Sequence, residues 1–104
     1  MPQVLTDAEF EEKVTNSKGL VFVDFWATWC PPCLALAPIL EDLDKNNEDV
    51  EILKLDVDAN PVSSQAHQVV SIPTVKLFKD GKEVEAIIGV QPKHVYQDLI
   101  SQNS

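Results

Sequence analysis

Residues Leu20-Val21-Phe22-Val23-Asp24-Phe25-Trp26 form an apolar run without the alternation of a half-exposed strand. A strand apolar on both sides must be covered on both sides, so this segment predicts the centre of a sheet with a layer of structure on each face. At 104 residues the chain is expected to form one domain, over 1–104, and a chain of this size buries about two-thirds of its unfolded surface. It can therefore fold without staples. No repeat, low-complexity tract or linker interrupts it.

The flanking segments supply the layers. Thr6 and Glu9 have capping-box spacing and Leu5 and Phe10 occupy the positions of a hydrophobic staple, which predicts a helix from Asp7 with Phe10 and Val14 on one face. Turn-forming residues at 16–19 end it. After Pro31, Leu36, Ile39, Leu40 and Leu43 recur at i, i+3, i+4 and i+7, an amphipathic helix running to about residue 47, in which Pro38 predicts a kink. Residues 51–57 read as a second inner strand, after which Asn60 and Pro61 open a short helix to about residue 68. Strands over 74–78 and 84–88 flank Lys79-Asp80-Gly81-Lys82, and Asp-Gly between apolar strands is a strong hairpin signal. Pro92 starts a last helix, with Tyr96, Leu99 and Ile100 as its apolar stripe and a polar tail over 101–104. The alternation of strands and helices, closed by a hairpin and a helix, gives a mixed α/β sheet with helices on both faces.

Charge narrows the partners. All 8 basic residues are lysines, 17 residues are acidic, and the formal net charge is −9. Such a surface repels phosphate backbones and anionic lipid, so neither nucleic acid nor a membrane is an expected partner. The first residues lack the basic start and apolar stretch of a secretory signal, and the apolar run ending at Ala27 is too short to span a bilayer. A soluble, cytoplasmic chain is expected.

Both cysteines fall in Trp29-Cys30-Pro31-Pro32-Cys33, where the central strand gives way to a helix. A disulfide between them closes a very short loop and ties no distant elements together, so a structural staple is a poor explanation. A helix N-terminus, by contrast, favours a thiolate through its dipole and its free N–H groups. With Cys30 as N-cap, Pro31 and Pro32 fill the first two helical positions and offer no N–H, which leaves the Cys33 amide as the local donor to the Cys30 sulfur. Cys30 is thus the expected nucleophile and Cys33 the more covered, resolving thiol. A cysteine pair of this spacing has two other readings. A zinc site needs four ligands, and only His67 and His94, without the paired spacing of a zinc motif, could complete the cysteine pair. Inert core thiols are common among free cysteines in general.

Asp24 is the other anomaly, a carboxylate among apolar strand neighbours that burial should desolvate. It reads either as a core aspartate satisfied by hydrogen bonds or as a proton-exchange group for the buried thiol Cys33. Lys54, between Leu53 and Leu55 on the next inner strand, reads either as a snorkelling surface lysine or as the partner of Asp24. The Ile72-Pro73 step ahead of a strand means little by itself.

Taken together, Phe22 to Ala27, Trp29-Cys30 and Cys33, Ala37-Pro38, Lys54-Leu55-Asp56-Val57-Asp58, Ile72-Pro73-Thr74, Phe78-Lys79-Asp80-Gly81 and Gly89 resemble the thioredoxin family, in order and spacing, over essentially the full length. The resemblance implies the thioredoxin fold, an α/β architecture with a central mixed sheet of four to five strands flanked by about four helices. It also implies a dithiol that reduces protein disulfides with no bound cofactor or metal, takes its electrons indirectly from NADPH through a thioredoxin reductase, and works as a monomer. By the same analogy Pro73 is cis and faces the Cys30 sulfur, and the Ile72 backbone pairs with an extended substrate segment. Trp29, Ile72, Gly89 and Val90 then surround the sulfur as an apolar docking surface, Gly89 leaving room for close backbone approach. Asp24 takes the buried proton-exchange role, with Lys54 beside it.

The chain departs from the usual pattern at three places. Pro-Pro stands between the cysteines where Gly-Pro is common, Leu34 replaces a basic residue, and Val70-Ser71 stands where bacterial members often have Arg-Gly. Losing one N–H while stiffening the turn acts on thiolate stability in opposite directions. The alternatives to a general reductase are a specialised oxidoreductase with a dedicated partner and a non-catalytic binding module built on the same fold.

Overall fold

The computed structural model describes residues 2–104; Met1, the first residue of the expected 1–104 domain, lies outside the described residues. Five strands, β1 (Gln3–Val4), β2 (Leu20–Trp26), β3 (Val50–Asp56), β4 (Thr74–Lys79) and β5 (Lys82–Ile88), form one mixed sheet in the order β1-β3-β2-β4-β5. The apolar run occupies the central strand. β2 pairs in parallel with β3, Asp24 opposite Lys54, and antiparallel with β4, Asp24 opposite Val75. β1 lies parallel to β3, and β5 closes the other edge antiparallel to β4.

Successive side chains of β2 point to opposite faces, and each face has its own core. Leu20 and Phe22 join Ile52, Val75 and Leu77 under α1 (Pro31–Asn46) and α3 (Lys93–Asn103), which contribute Leu36, Leu40, Leu43, Tyr96 and Ile100. Val21, Val23 and Phe25 join Leu53, Leu55 and Phe78 on the opposite face, covered by Leu5, Phe10 and Val14. Full burial of each such side chain contributes on the order of 1.5–3 kcal/mol, which explains why the α1 stripe at i, i+4 and i+7 is wholly buried. α1 runs without a break through Pro38, which lends no N–H to the Leu34 carbonyl.

Four local expectations are revised. The segment after Thr6 is a 3-10 turn (Asp7–Glu9) followed by a π-helical turn (Glu11–Thr15), closed by the Asn16 N–H donating to the Glu11 carbonyl at 2.8 Å, rather than a regular helix. Spacing of Phe10 and Val14 reports which side is buried and not which carbonyl each N–H reaches; packing decides that in so short a piece. The short helix α2 is Pro61–Ala66 and stops before residue 68, where Gln68 has φ 55°. The last helix continues to Asn103, and the Asn103 and Ser104 side chains add donors to the Leu99 and Ile100 carbonyls of its last turn. β1 is a fifth strand too short for any periodicity to reveal. The Asp80-Gly81 hairpin is as expected, with φ 51° and 84°, the two positive values that a two-residue turn between twisted strands requires.

Candidate active site

The C-terminal end of β2 delivers the chain to the start of α1, and the cysteines sit at that junction. Cys30 is the N-cap, in extended conformation, and its Sγ accepts from the Cys33 backbone N–H at 3.3 Å, the one local donor the two prolines leave. Cys30 and Cys33 are joined as a disulfide, their Cα atoms 5.2 Å apart. Burial scarcely separates them, at 3% and 1% exposed; what distinguishes Cys30 is the N–H aimed at its sulfur. Both pack with Ala27 against Trp26, Val57 and Ile72.

A second loop brings its backbone to the same sulfur. The Ile72-Pro73 peptide is cis, and the Ile72 carbonyl oxygen lies 3.9 Å from Cys30 Sγ. A disulfide sulfur carries no proton, so this is a contact and not a hydrogen bond. Pro73 is buried, and its carbonyl accepts from the Gly89 N–H at 2.8 Å, which fastens the segment after β5 to the loop before β4. Gly89 has φ 85° and a side chain there would meet nothing within 4 Å, so its backbone conformation, not space within the chain, demands glycine. Val90, next to it, is exposed on the rim. Trp29 is 65% exposed and its indole N–H donates to Asp58 Oδ2 at 2.6 Å, which fixes a large apolar ring at the surface beside the disulfide.

On the strand that leads to the cysteines lies Asp24, fully buried, with neither carboxylate oxygen hydrogen-bonded among the described residues. The expectation of a satisfied core aspartate is therefore not met. Burial pushes its pKa from an ordinary 3.8 up to about 7, against the smaller opposing pull of the Lys54 ammonium. Lys54 is the cross-strand neighbour, yet its Nζ sits 4.2 Å from the centroid of the Trp26 ring and makes no hydrogen bond to Asp24. It does part of both jobs expected of it, acting on Asp24 through space while its head rests on an aromatic face at the surface. By strand alternation Asp24 shares the face of Phe22, the one covered by α1, the helix whose first turn carries Cys33.

Residues 1–102 match the thioredoxin family. Thioredoxins of Staphylococcus aureus strains Mu50 / ATCC 700699, MW2 and N315 are each 46% identical to this chain over 100 residues, covering 95% of it and 94% of the relative.

The chain belongs to the thioredoxin family.

A thioredoxin-family sheet carrying a Cys30–Cys33 couple at a helix N-terminus is a protein thiol–disulfide oxidoreductase, working by dithiol–disulfide exchange. Among the described residues no group of three or more His, Cys, Asp or Glu side chains is placed to hold a metal ion, and no helix is long and apolar enough to cross a membrane. His67, a candidate zinc ligand by residue type, packs its ring on Phe10 at 4.7 Å and beside Phe78 and Phe25. Sequence reasoning gave no role to three neighbours of the site. Asp58 anchors the Trp29 indole, Trp26 carries the Lys54 head, and Val57 packs on the cysteines. Position within the Lys54 to Asp58 motif was the available signal for Asp58. Of the departures from the usual family pattern, Leu34 is 54% and Val70 93% exposed, so both put apolar surface where a charge is common.

Proposed function

We propose that this chain is a general, cytoplasmic protein-disulfide reductase of the Cys-Pro-Pro-Cys type, acting as a single domain over 1–104 and as a monomer. The Cys30 thiolate attacks one sulfur of a substrate disulfide, forming a mixed disulfide and expelling the other substrate sulfur as a thiolate that takes up a proton. Cys33, deprotonated toward Asp24, then attacks the Cys30 sulfur; the Cys30–Cys33 disulfide forms and the second substrate thiolate leaves. A thioredoxin reductase returns two electrons from NADPH to the pair, so no cofactor is bound by the chain itself.

The observation that carries the assignment of roles is the Cys33 N–H donated to Cys30 Sγ at 3.3 Å, since a hydrogen bond to the charged form of a thiol favours that form. The Ile72 backbone, with its carbonyl beside that sulfur, offers an extended substrate segment a main-chain partner, and Trp29, Gly89 and Val90, with Pro73 buried directly after Ile72, complete a surface that reads shape more than sequence. Lys54 tunes Asp24 rather than touching the reacting sulfurs. With a net charge of −9 the expected partners are disulfide-containing proteins and the reductase, not nucleic acid or membrane. The test is reduction of a model protein disulfide by the parent, Cys30→Ser and Cys33→Ser. Loss of all turnover in Cys30→Ser, with a trapped mixed disulfide in Cys33→Ser, is expected; full activity in either variant contradicts the roles.

A further inference from the structure

Strand β4 carries a lysine where its neighbours are apolar. Lys76 lies between Val75 and Leu77, opposite Val23 on the central strand, and is 8% exposed. A buried ammonium is costly unless its donors are used, and here they are. Nζ donates to the backbone carbonyl of His67 at 2.8 Å and to Glu83 Oε1 of β5 at 2.8 Å. His67 is the residue that ends α2, and the chain from it leads through Gln68, with φ 55°, to the Ile72 carbonyl beside Cys30 Sγ.

The loop is consequently held at both ends by one strand. At its far end β4 begins directly after Pro73, and the Thr74 hydroxyl donates to the Ser71 carbonyl at 2.5 Å. At its near end the Lys76 ammonium closes a nine-residue span back to His67 and supplies a cation to the C-terminus of α2, where unpaired carbonyls favour one. The His67 ring, stacked on Phe10, locks the side chain of the same residue from the other direction. Without the lysine, the two amides that follow are tied only to the last turn of α2, Gln68 N–H to the Gln65 carbonyl and Val69 N–H to the Ser64 carbonyl. Closing a loop in advance spares the partner the ordering that binding otherwise demands.

We infer that Lys76 is a positioning residue for substrate docking, whose hydrogen bond to the His67 carbonyl holds the 68–73 loop, and with it the Ile72 backbone, in the place where an extended substrate segment pairs. This rests on the proposed docking role of Ile72. Lys76 touches neither the cysteines nor the substrate, so its removal acts on binding of large substrates and not on sulfur chemistry.

The experiment compares the parent with Lys76→Met, Glu83→Gln and Ile72→Asp, by amide hydrogen exchange and by steady-state reduction of a model protein disulfide and of a small aromatic disulfide. Lys76→Met, which keeps the apolar stem and deletes the donors, is expected to speed exchange at Gln68 and Val69 about tenfold or more while β2 is unchanged, and to raise KM for the protein disulfide about three- to tenfold. Its kcat, and its rate with the small disulfide, stay within about twofold of the parent. A merely structural role would lower the melting temperature without this split. Glu83→Gln leaves the His67 bond in place and is expected to match the parent in KM. Should Lys76→Met lose its cooperative transition, Lys76→Gln, with a polar head one bond shorter, carries the same expectation. Unchanged exchange at Gln68 and Val69, or unchanged KM despite faster exchange, overturns the inference while a raised KM in Ile72→Asp leaves the docking role standing. An unchanged KM in Ile72→Asp removes the docking role, and the inference with it.

Discussion

The Cys33 amide points at the Cys30 sulfur across 3.3 Å, and the two residues between them are prolines with no N–H to offer. The asymmetry of the pair therefore resides in one backbone hydrogen bond and the helix end behind it. In Cys33→Ser the amide is retained, so the Cys30 thiol is expected to titrate below the ordinary value of about 8.5 and to alkylate at pH 7 at least about tenfold faster than Cys33 in Cys30→Ser. Rates of iodoacetamide labelling against pH, followed by mass spectrometry, measure this. Equal rates would remove the basis for calling Cys30 the nucleophile.

Asp24 stores a cost that pH reveals. Its folded pKa of about 7 lies above the ordinary 3.8, so the folded protein binds this proton more tightly than the unfolded chain. Stability from this group is fully present below pH 3.8, falls as pH rises between 3.8 and about 7, and is constant above. The difference corresponds to about 4 kcal/mol at roughly 1.4 kcal/mol per pH unit, an upper figure for a site that can relax. Asp24→Asn is expected to be more stable than the parent in urea at pH 8 by about 2–4 kcal/mol, with the gap closing toward pH 4. If the carboxylate also exchanges protons with Cys33, the rate of protein-disulfide reduction in the variant loses its inflection near pH 7. A pH–rate profile identical to the parent's would restrict Asp24 to a structural role.

Much of this site could be read before the fold was seen, and the reasons are local. The unalternating run at 20–26 dictates a strand covered on both faces, and a helix starting at Pro31 dictates which amide meets which sulfur. Lys54 over Trp26, Asp58 on the Trp29 indole and Lys76 on the His67 carbonyl join residues 28, 29 and 9 positions apart; the register of β2 on β3 decides the first, and where the loop after β2, the turn after β3 and the end of α2 fall decides the others. A single sequence encodes the period of each strand but not its neighbour's phase. The π-helical turn at Glu11–Thr15 escaped for the converse reason, since its apolar spacing is compatible with more than one hydrogen-bond register.

Two glycines of positive φ separate backbone strain from steric exclusion. A methyl at Gly81, φ 84°, would overlap the Thr15 carbonyl, whereas one at Gly89, φ 85°, meets nothing within 4 Å. Gly89→Ala is expected to cost about 1–2 kcal/mol, the conformational term alone. Gly81→Ala adds displacement of the Thr15 backbone and should cost about 1–3 kcal/mol more. Paired urea titrations decide it; equal losses would mean that the turn yields without disturbing Thr15.

His67 gives the acid side of the stability curve. Burial against Phe10, Phe25 and Phe78, helped by the Lys76 charge and opposed by Glu83, holds its pKa below the ordinary 6.5. A base with a depressed folded pKa contributes stability that is present above pH 6.5 and is lost as pH falls through the folded value, because the unfolded chain takes the proton first. Its slope is opposite in sign to that of Asp24, so the two partly cancel in the parent as pH falls below 6.5. His67→Phe keeps a ring in the aromatic cluster and removes the titration. In the variant the opposing His67 slope is gone, and stability is expected to rise more steeply from pH 7 toward pH 5 than in the parent. Thermal denaturation at half-unit pH steps tests this, and parallel curves for variant and parent would show that the His67 ring does not titrate against folding.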